Sequence, residues 1–155
     1  MFPLKNYKGI IPELPHLGAF GAKRKFHTHE GVDLYVPNKT PVYAVEPGKI
    51  VAVENFTGPL ANSPWWHDTK CVMVKGKSGV VNYGEIDTQL KPGTIIEEGD
   101  LIGLVKQVLK KDKGRPMSML HFELYEDNVT ESVEWLPDAD RPKGLLDPTE
   151  LLKSL

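Results

Sequence analysis

The chain has 155 residues, 40% of them hydrophobic and 26% charged, with a formal net charge of −2. That length suits one domain with a core of its own, and so small a charge leaves no electrostatic case for nucleic acid or an anionic membrane surface as a partner. A single cysteine, Cys71, excludes both an internal disulfide framework and a cysteine-rich metal site.

Residues 1–25, beginning MFPLKNYKGIIPELP, read as an N-terminal extension. They show no basic segment followed by an apolar one, and no apolar run anywhere approaches the roughly 20 residues of a spanning helix. The expectation is synthesis in the cytoplasm, with any export or release by another route; the site of action stays open. Lys23-Arg24-Lys25, and later Lys110-Lys111-Asp112-Lys113, are short broken basic runs that read as solvated loops. From about residue 26 to 126, short runs rich in Val, Ile and Tyr lie between closely spaced glycines and prolines: GVDLYVP, TPVYAVEPGKIVAVEN, KCVMVKG, GVVNYGEI, GTIIEEGDLIGLVKQVL and MLHFELYED. This rhythm predicts an antiparallel β domain with tight turns. VEPGKIV and EEGDLIG read as turns in which glycine supplies a positive φ. Cys71, inside CVMVKG, reads as a buried, inert thiol.

Two segments look like insertions, NFTGPLANSPWWHDT (55–69) and DNVTESVEWLPDADRPKG (127–144). Long loops of this kind either wall a functional cleft or lid the sheet as plain packing, and Trp65, Trp66 and Trp135 fit both readings. LLDPTELLKSL predicts one short closing helix, with Asp147 as N-cap, Pro148 at the first helical position and Glu150 in the first turn. The expected organisation is a single, mainly β domain over 1–155, with a core at about 26–126 and a C-terminal excursion and helix at 127–155. A monomer is adequate for this size.

The five histidines are His16, His27, His29, His67 and His121. In SMLHFELYED, Leu120, Phe122 and Leu124 share one face of a strand, while Met119, His121, Glu123 and Tyr125 share the other. The bland reading of His121 is a half-exposed imidazole beside a half-exposed carboxylate. FHTHEGVDLYVP gives it another context. His29 and Asp33 would stand roughly 13 Å apart in a straight strand, too far to share an ion whose ligand bonds are about 2 Å. Gly31 between them allows a sharp bend that brings both to one point. With His121 as a third ligand, two nitrogens and one oxygen leave a fourth position for solvent, the open arrangement of a catalytic zinc site.

HEGVDLYVPNKTPVYAVEPGKIV resembles the first signature of the lysostaphin/LytM-type zinc metallopeptidases, the M23 peptidase family with its duplicated hybrid motif: His-x-Gly-x-Asp, an apolar strand, a turn, and a second strand. MLHFELY resembles the second signature, usually His-x-His-Phe-Glu. GVVNYGEI falls where the family has Tyr-x-His-Leu, LKPGTIIEEGDLIGLV resembles its Gly-containing hairpin, and LLDPTELL its Asp-Pro ending. The likeness runs in order over roughly residues 26 to 155. It implies an antiparallel barrel-sandwich hybrid core, one Zn²⁺ ion, and hydrolysis of peptide bonds, usually in the stems or cross-links of bacterial cell walls, so the partner implied is a cell-wall-type peptide substrate. It assigns the metal to His29, Asp33 and His121.

The sequence departs from that pattern at two positions. The family's two further histidines, which activate water and steady the oxyanion, are here Glu85 in YGEI and Met119. Two readings follow. Glu85 takes over as general base, with Arg115, Tyr83 or His67 as oxyanion or substrate contact. Alternatively the domain binds metal without turnover and recognises a peptide or a protein partner, with Glu85 as a fourth ligand. Glu123 reads either as an acceptor that orients an imidazole or as half of a surface ion pair. His27 reads as an outer contact or an exposed histidine, and His16 shows no role. EPGKIV also resembles the hairpins of lipoyl and biotinyl carrier domains, but Lys49 lacks their flanking pattern.

Overall fold

The computed structural model describes residues 1–155. The apolar runs form nine strands: β1 Val32–Tyr35, β2 Pro41–Tyr43, β3 Gly48–Thr57, β4 Thr69–Gly76, β5 Gly79–Asp87, β6 Ile95–Ile96, β7 Leu101–Val105, β8 Met119–Tyr125 and β9 Leu145–Leu146. They join in one antiparallel sheet whose main path is β1-β8-β5-β4-β3-β6; β2 pairs with β7, β7 also with β5, and β9 with β8. The fold is the expected mainly β, LytM-like one, with an open sheet rather than a closed barrel. The one α-helix, α1, spans Thr149–Ser154. It starts just after the expected position. The Asp147 carboxylate still serves the helix start, accepting from the Thr149 amide at 2.9 Å and the Thr149 hydroxyl at 2.6 Å. No helix is long and apolar enough to cross a membrane.

β8 organises the centre of the sheet, with β1 on one side and β5 on the other. Leu120, Phe122 and Leu124 enter the main core beside Val32, Leu34, Val81 and Tyr83, as period-two alternation requires. The opposite face does not meet solvent. Met119, His121, Glu123 and Tyr125 are all buried as well. Glu123 and Tyr125 are covered by the 127–144 excursion through Ser132 and Val133, His121 by Phe56 and Met119 by Val108 and Leu109. A polar pattern on a strand face therefore marks a buried polar layer here, and a buried polar layer must satisfy its own hydrogen bonds.

Two turn glycines have different reasons. Gly99 takes the positive φ expected of EEGDLIG, at 84°. Gly48 does not; it opens β3, where an added Cβ would lie 2.3 Å from the Lys75 carbonyl oxygen. Close strand approach, not handedness, requires glycine there.

Cys71 on β4 is fully buried. Burial, and then the charges of Glu123 and Glu54, push its thiol far up from the ordinary range. The native protein is expected to leave a thiol reagent unreacted at pH 8 and to react with one equivalent per chain once unfolded. Rapid stoichiometric reaction of the native protein would contradict this placement.

Candidate metal centre

The loop before β1 is folded back on the N-terminal segment. The Gly21 amide donates to the His29 carbonyl, and the His29 amide to the Ala22 carbonyl, both at 2.9 Å. This turns the His29 ring towards β1, where Asp33 stands directly opposite His121 of β8. The distances are then short: His29 Nε2 to Asp33 Oδ1 3.1 Å, His121 Nδ1 to the same oxygen 2.9 Å, and His29 Nε2 to His121 Nδ1 3.2 Å. All three side chains are buried, and their ligand atoms lie within 4.8 Å of one another.

The outward ring atoms decide what the inward ones offer. His29 Nδ1 is 2.9 Å from the Ala19 carbonyl oxygen, which can only accept, so that nitrogen carries the hydrogen and Nε2 faces inward with its lone pair. His121 Nε2 is 2.9 Å from Glu123 Oε2, which likewise places the hydrogen outward and leaves Nδ1 facing in. Two imidazole lone pairs and a carboxylate oxygen thus converge in a buried site. Such acceptors repel unless a cation or a proton lies among them. Without a cation a proton takes that place: burial alone would raise the Asp33 carboxyl, but the charge on a protonated His29 and the hydrogen bonds that protonated rings donate hold it well below its usual range. Burial alone would lower His121, but its bonds to Asp33 and Glu123 hold it well above. The pocket is built for positive charge. An N₂O donor set with both outer nitrogens held is the set that suits a divalent zinc ion.

Glu85 reaches this pocket through an irregularity in β5. Lys70 pairs with Ile86 and Val72 with Tyr83, so Cys71 alone faces both Gly84 and Glu85. That is a β-bulge with the extra residue on β5. Glu85 carries a positive φ of 62°, uncommon for a residue with a side chain. Strict alternation would give Glu85 the same face as Tyr83, in the core. The bulge turns its carboxylate to the His121 face instead, with Oε1 3.8 Å from His121 Nδ1. Burial, then the Asp33 carboxylate, push the Glu85 carboxyl up to about 8, against the opposing pull of His121 and Arg24.

A model of the family described as peptidase family M23 matches residues 27–133, more than half of the chain. The chain belongs to peptidase family M23. Known structures agree with the fold of this M23 chain. A mutant of the catalytic domain of EnpA, a prophage-encoded M23 protein from Enterococcus faecalis, superposes with a TM-score of 0.59 at 19% identity, over 91% of this chain and 98% of that one. The catalytic domain of the antimicrobial peptidase lysostaphin from Staphylococcus simulans gives 0.55 at 19% identity, over 87% and 89% of the two chains. A zinc-containing peptidase from Vibrio cholerae gives 0.56 at 23% identity over 91% of this chain, which spans 40% of that one. No curated protein matches the sequence.

The M23 chain brings some of the expected residues to the centre and not others. His29, Asp33, His121, Glu85 and Glu123 meet there. Tyr83 does not: it is buried in the core against Phe122, and its hydroxyl accepts the Val45 amide at 2.9 Å, which removes it as an oxyanion contact. Arg115 is exposed and makes no hydrogen bond or ion pair with any residue of the centre. His67 is exposed and is anchored by its backbone, through the Val108 carbonyl and the Thr57 hydroxyl. His27 pairs with Glu30 at 3.0 Å, and His16 accepts the Gly18 amide at 2.9 Å in a turn. Met119 is buried beside Val108 and Leu109, where Trp66 also packs. Trp135 stacks obliquely on Phe20 at 5.5 Å, so both are packing residues, while Trp65 remains exposed.

Arg24, which its place in a short basic run marks as a solvated residue, also reaches the centre. Its Nη2 donates to Asp33 Oδ2 at 3.1 Å and to the Leu17 carbonyl at 2.7 Å, and it stays partly exposed. A single signal pointed that way: a buried carboxylate with one oxygen on a metal needs a donor for the other.

Gly31 is required for space. A Cβ there would lie 2.5 Å from the Phe122 carbonyl oxygen, 3.0 Å from Glu123 Cγ and 3.1 Å from His121 Cε1. Its φ is not left-handed, so the bend between His29 and Asp33 rests on close packing against β8. Gly31→Ala is expected to cost about 1–3 kcal/mol in stability, as overpacking does, and to displace His121. Unchanged thermal unfolding and zinc binding would contradict that packing.

Proposed function

We propose that the protein is a zinc-dependent endopeptidase acting on peptidoglycan-type peptides, with His29 Nε2, Asp33 Oδ1 and His121 Nδ1 holding one Zn²⁺ and Glu85 as general base. The observation that carries the catalytic part is the bulge in β5. Bulges re-aim side chains beside active sites, and a positive φ at a non-glycine residue persists only where the surrounding structure enforces it. An idle carboxylate would not need such a backbone to sit buried beside three metal-binding groups.

Zinc, when bound, would polarise the scissile carbonyl and lower the pKa of the attacking water. The chain's own residues supply the rest. Glu85 accepts the proton of that water and returns it to the leaving amine, so a peptide bond is exchanged for an amine and a carboxylic acid with no other reactant. Arg24, with its guanidinium fixed on Leu17 and Asp33, keeps Asp33 Oδ2 occupied so that Oδ1 would be the oxygen offered to the ion, and its exposed edge is available to a developing oxyanion or a substrate carboxylate. Arg115 remains a second candidate for that contact. Glu85 at 3.8 Å from His121 Nδ1 also supports a second reading, in which it closes the site as a fourth ligand and the domain binds peptide without turnover. Assay of the zinc-loaded protein on a panel of cell-wall peptides separates the two: cleavage supports the first, and tight zinc binding with no cleavage of any peptide supports the second.

A further inference from the structure

Behind the groups that back the metal centre lies the 127–144 excursion, a segment that no step above uses. Glu123 is 1% exposed, and both of its oxygens are engaged. Oε2 accepts from His121 Nε2. Oε1 accepts from three donors at once: Asn82 Nδ2 at 2.7 Å, the Tyr125 hydroxyl at 2.8 Å and the Ser132 hydroxyl at 3.1 Å. The Tyr125 hydroxyl in turn accepts the Val133 amide at 3.1 Å, so one carboxylate, one phenol and two residues of the excursion form a closed set. Further along, Trp135 reaches the other metal-facing histidine. The Thr28 amide donates to the Trp135 carbonyl at 2.7 Å, and the Trp135 amide to Glu30 Oε2 at 3.3 Å, so both neighbours of His29 are tied to it. Its ring packs on Phe20, next to the Ala19 carbonyl that holds His29 Nδ1.

We propose that Glu123 is a positioning residue for His121, and that residues 132–135 form a strap that sets metal affinity by holding the outer partners of both histidines. This rests on the metal assignment above. The physical reason is that a carboxylate on the outer nitrogen fixes the ring's tautomer and orientation and makes the inner nitrogen a better donor. Three donors on Oε1 keep that carboxylate from swinging away. Hydrogen bonds among buried polar groups act as a unit, so loosening Ser132 or Tyr125 is felt at His121.

The test is zinc affinity by competition with a chromophoric chelator, read beside the unfolding temperature of each metal-free protein and the visible spectrum of its Co²⁺ form. Glu123→Gln is expected to bind zinc about 10–100-fold more weakly and to shift the Co²⁺ bands. Tyr125→Phe and Ser132→Ala are expected to lose about two- to tenfold each, the cost of one hydrogen bond to Glu123, with metal-free unfolding near that of the native chain for Ser132→Ala and lowered for Tyr125→Phe, which also leaves the Val133 amide without its acceptor. Zinc affinity of Glu123→Gln within twofold of the native value overturns the proposal. If that variant does not fold, unchanged affinity in both Tyr125→Phe and Ser132→Ala overturns it. Absence of zinc binding by the native chain itself would instead remove the metal assignment on which the proposal stands.

Discussion

Glu85→Gln is expected to keep its zinc and to hydrolyse peptide about 10²–10⁴-fold more slowly, the usual contribution of a positioned general base. The substitution keeps the shape of the side chain, so the bulge and the positive φ at this position are preserved. What is removed is the ability to accept a proton. Stability is expected to hold or rise, because the native carboxyl is buried close to Asp33 and carries the repulsion that pushes its pKa up to about 8. Glu85→Ala should lose activity to the same extent and retain zinc. Full activity in either variant removes Glu85 from the base role. Loss of zinc in both variants, with a native protein that cleaves no peptide, makes Glu85 a ligand and favours the closed, silent site.

His121→Ala is expected to abolish stoichiometric zinc binding. Zinc sites with four ligands are worth roughly 10–16 kcal/mol in total, so one ligand's share is about 3 kcal/mol, more than a hundredfold in affinity. The loss should exceed that of Glu123→Gln, since the ligand itself is gone and not its support. A stability cost comes with it. Glu123 Oε2 loses its donor in a buried site, about 1–3 kcal/mol, and the ring that packs on Phe56 at 5.3 Å leaves a void. Elemental analysis after dialysis, with chelator competition, reads the first effect; denaturant unfolding of the metal-free protein reads the second. Unchanged zinc content would place the metal elsewhere.

Much of the candidate site was legible because its parts are short, local and chemically unusual. His29, Gly31 and Asp33 lie within five residues, and His121 sits in a strand whose alternation is unbroken. What alternation cannot show is its own interruption. Period two assigns Glu85 to the face of Tyr83; only the pairing of β5 with β4 shows the extra residue that turns it over. The same limit made Tyr83 look available, when its ring completes the core. The burial of His121 and Glu123 was illegible for another reason: their cover comes from outside the strand, Phe56 over His121 and Ser132 of the polar 127–144 segment over Glu123. Arg24 was hidden by its neighbours, since Lys23 and Lys25 give the run the look of a solvated loop. The fold itself was read from turn spacing and strand composition, and the openness of the sheet was the part that local pattern does not carry.

We propose that His29 Nε2, Asp33 Oδ1 and His121 Nδ1 share one divalent ion. Anomalous diffraction at the zinc edge, from crystals of the zinc-loaded protein, locates such an ion directly. One strong peak per chain is expected, about 2.0–2.2 Å from each of those three atoms, with His121 Nε2 still on Glu123. A peak bonded to His121 Nε2, a peak elsewhere on the chain, or no peak among these three residues would contradict it.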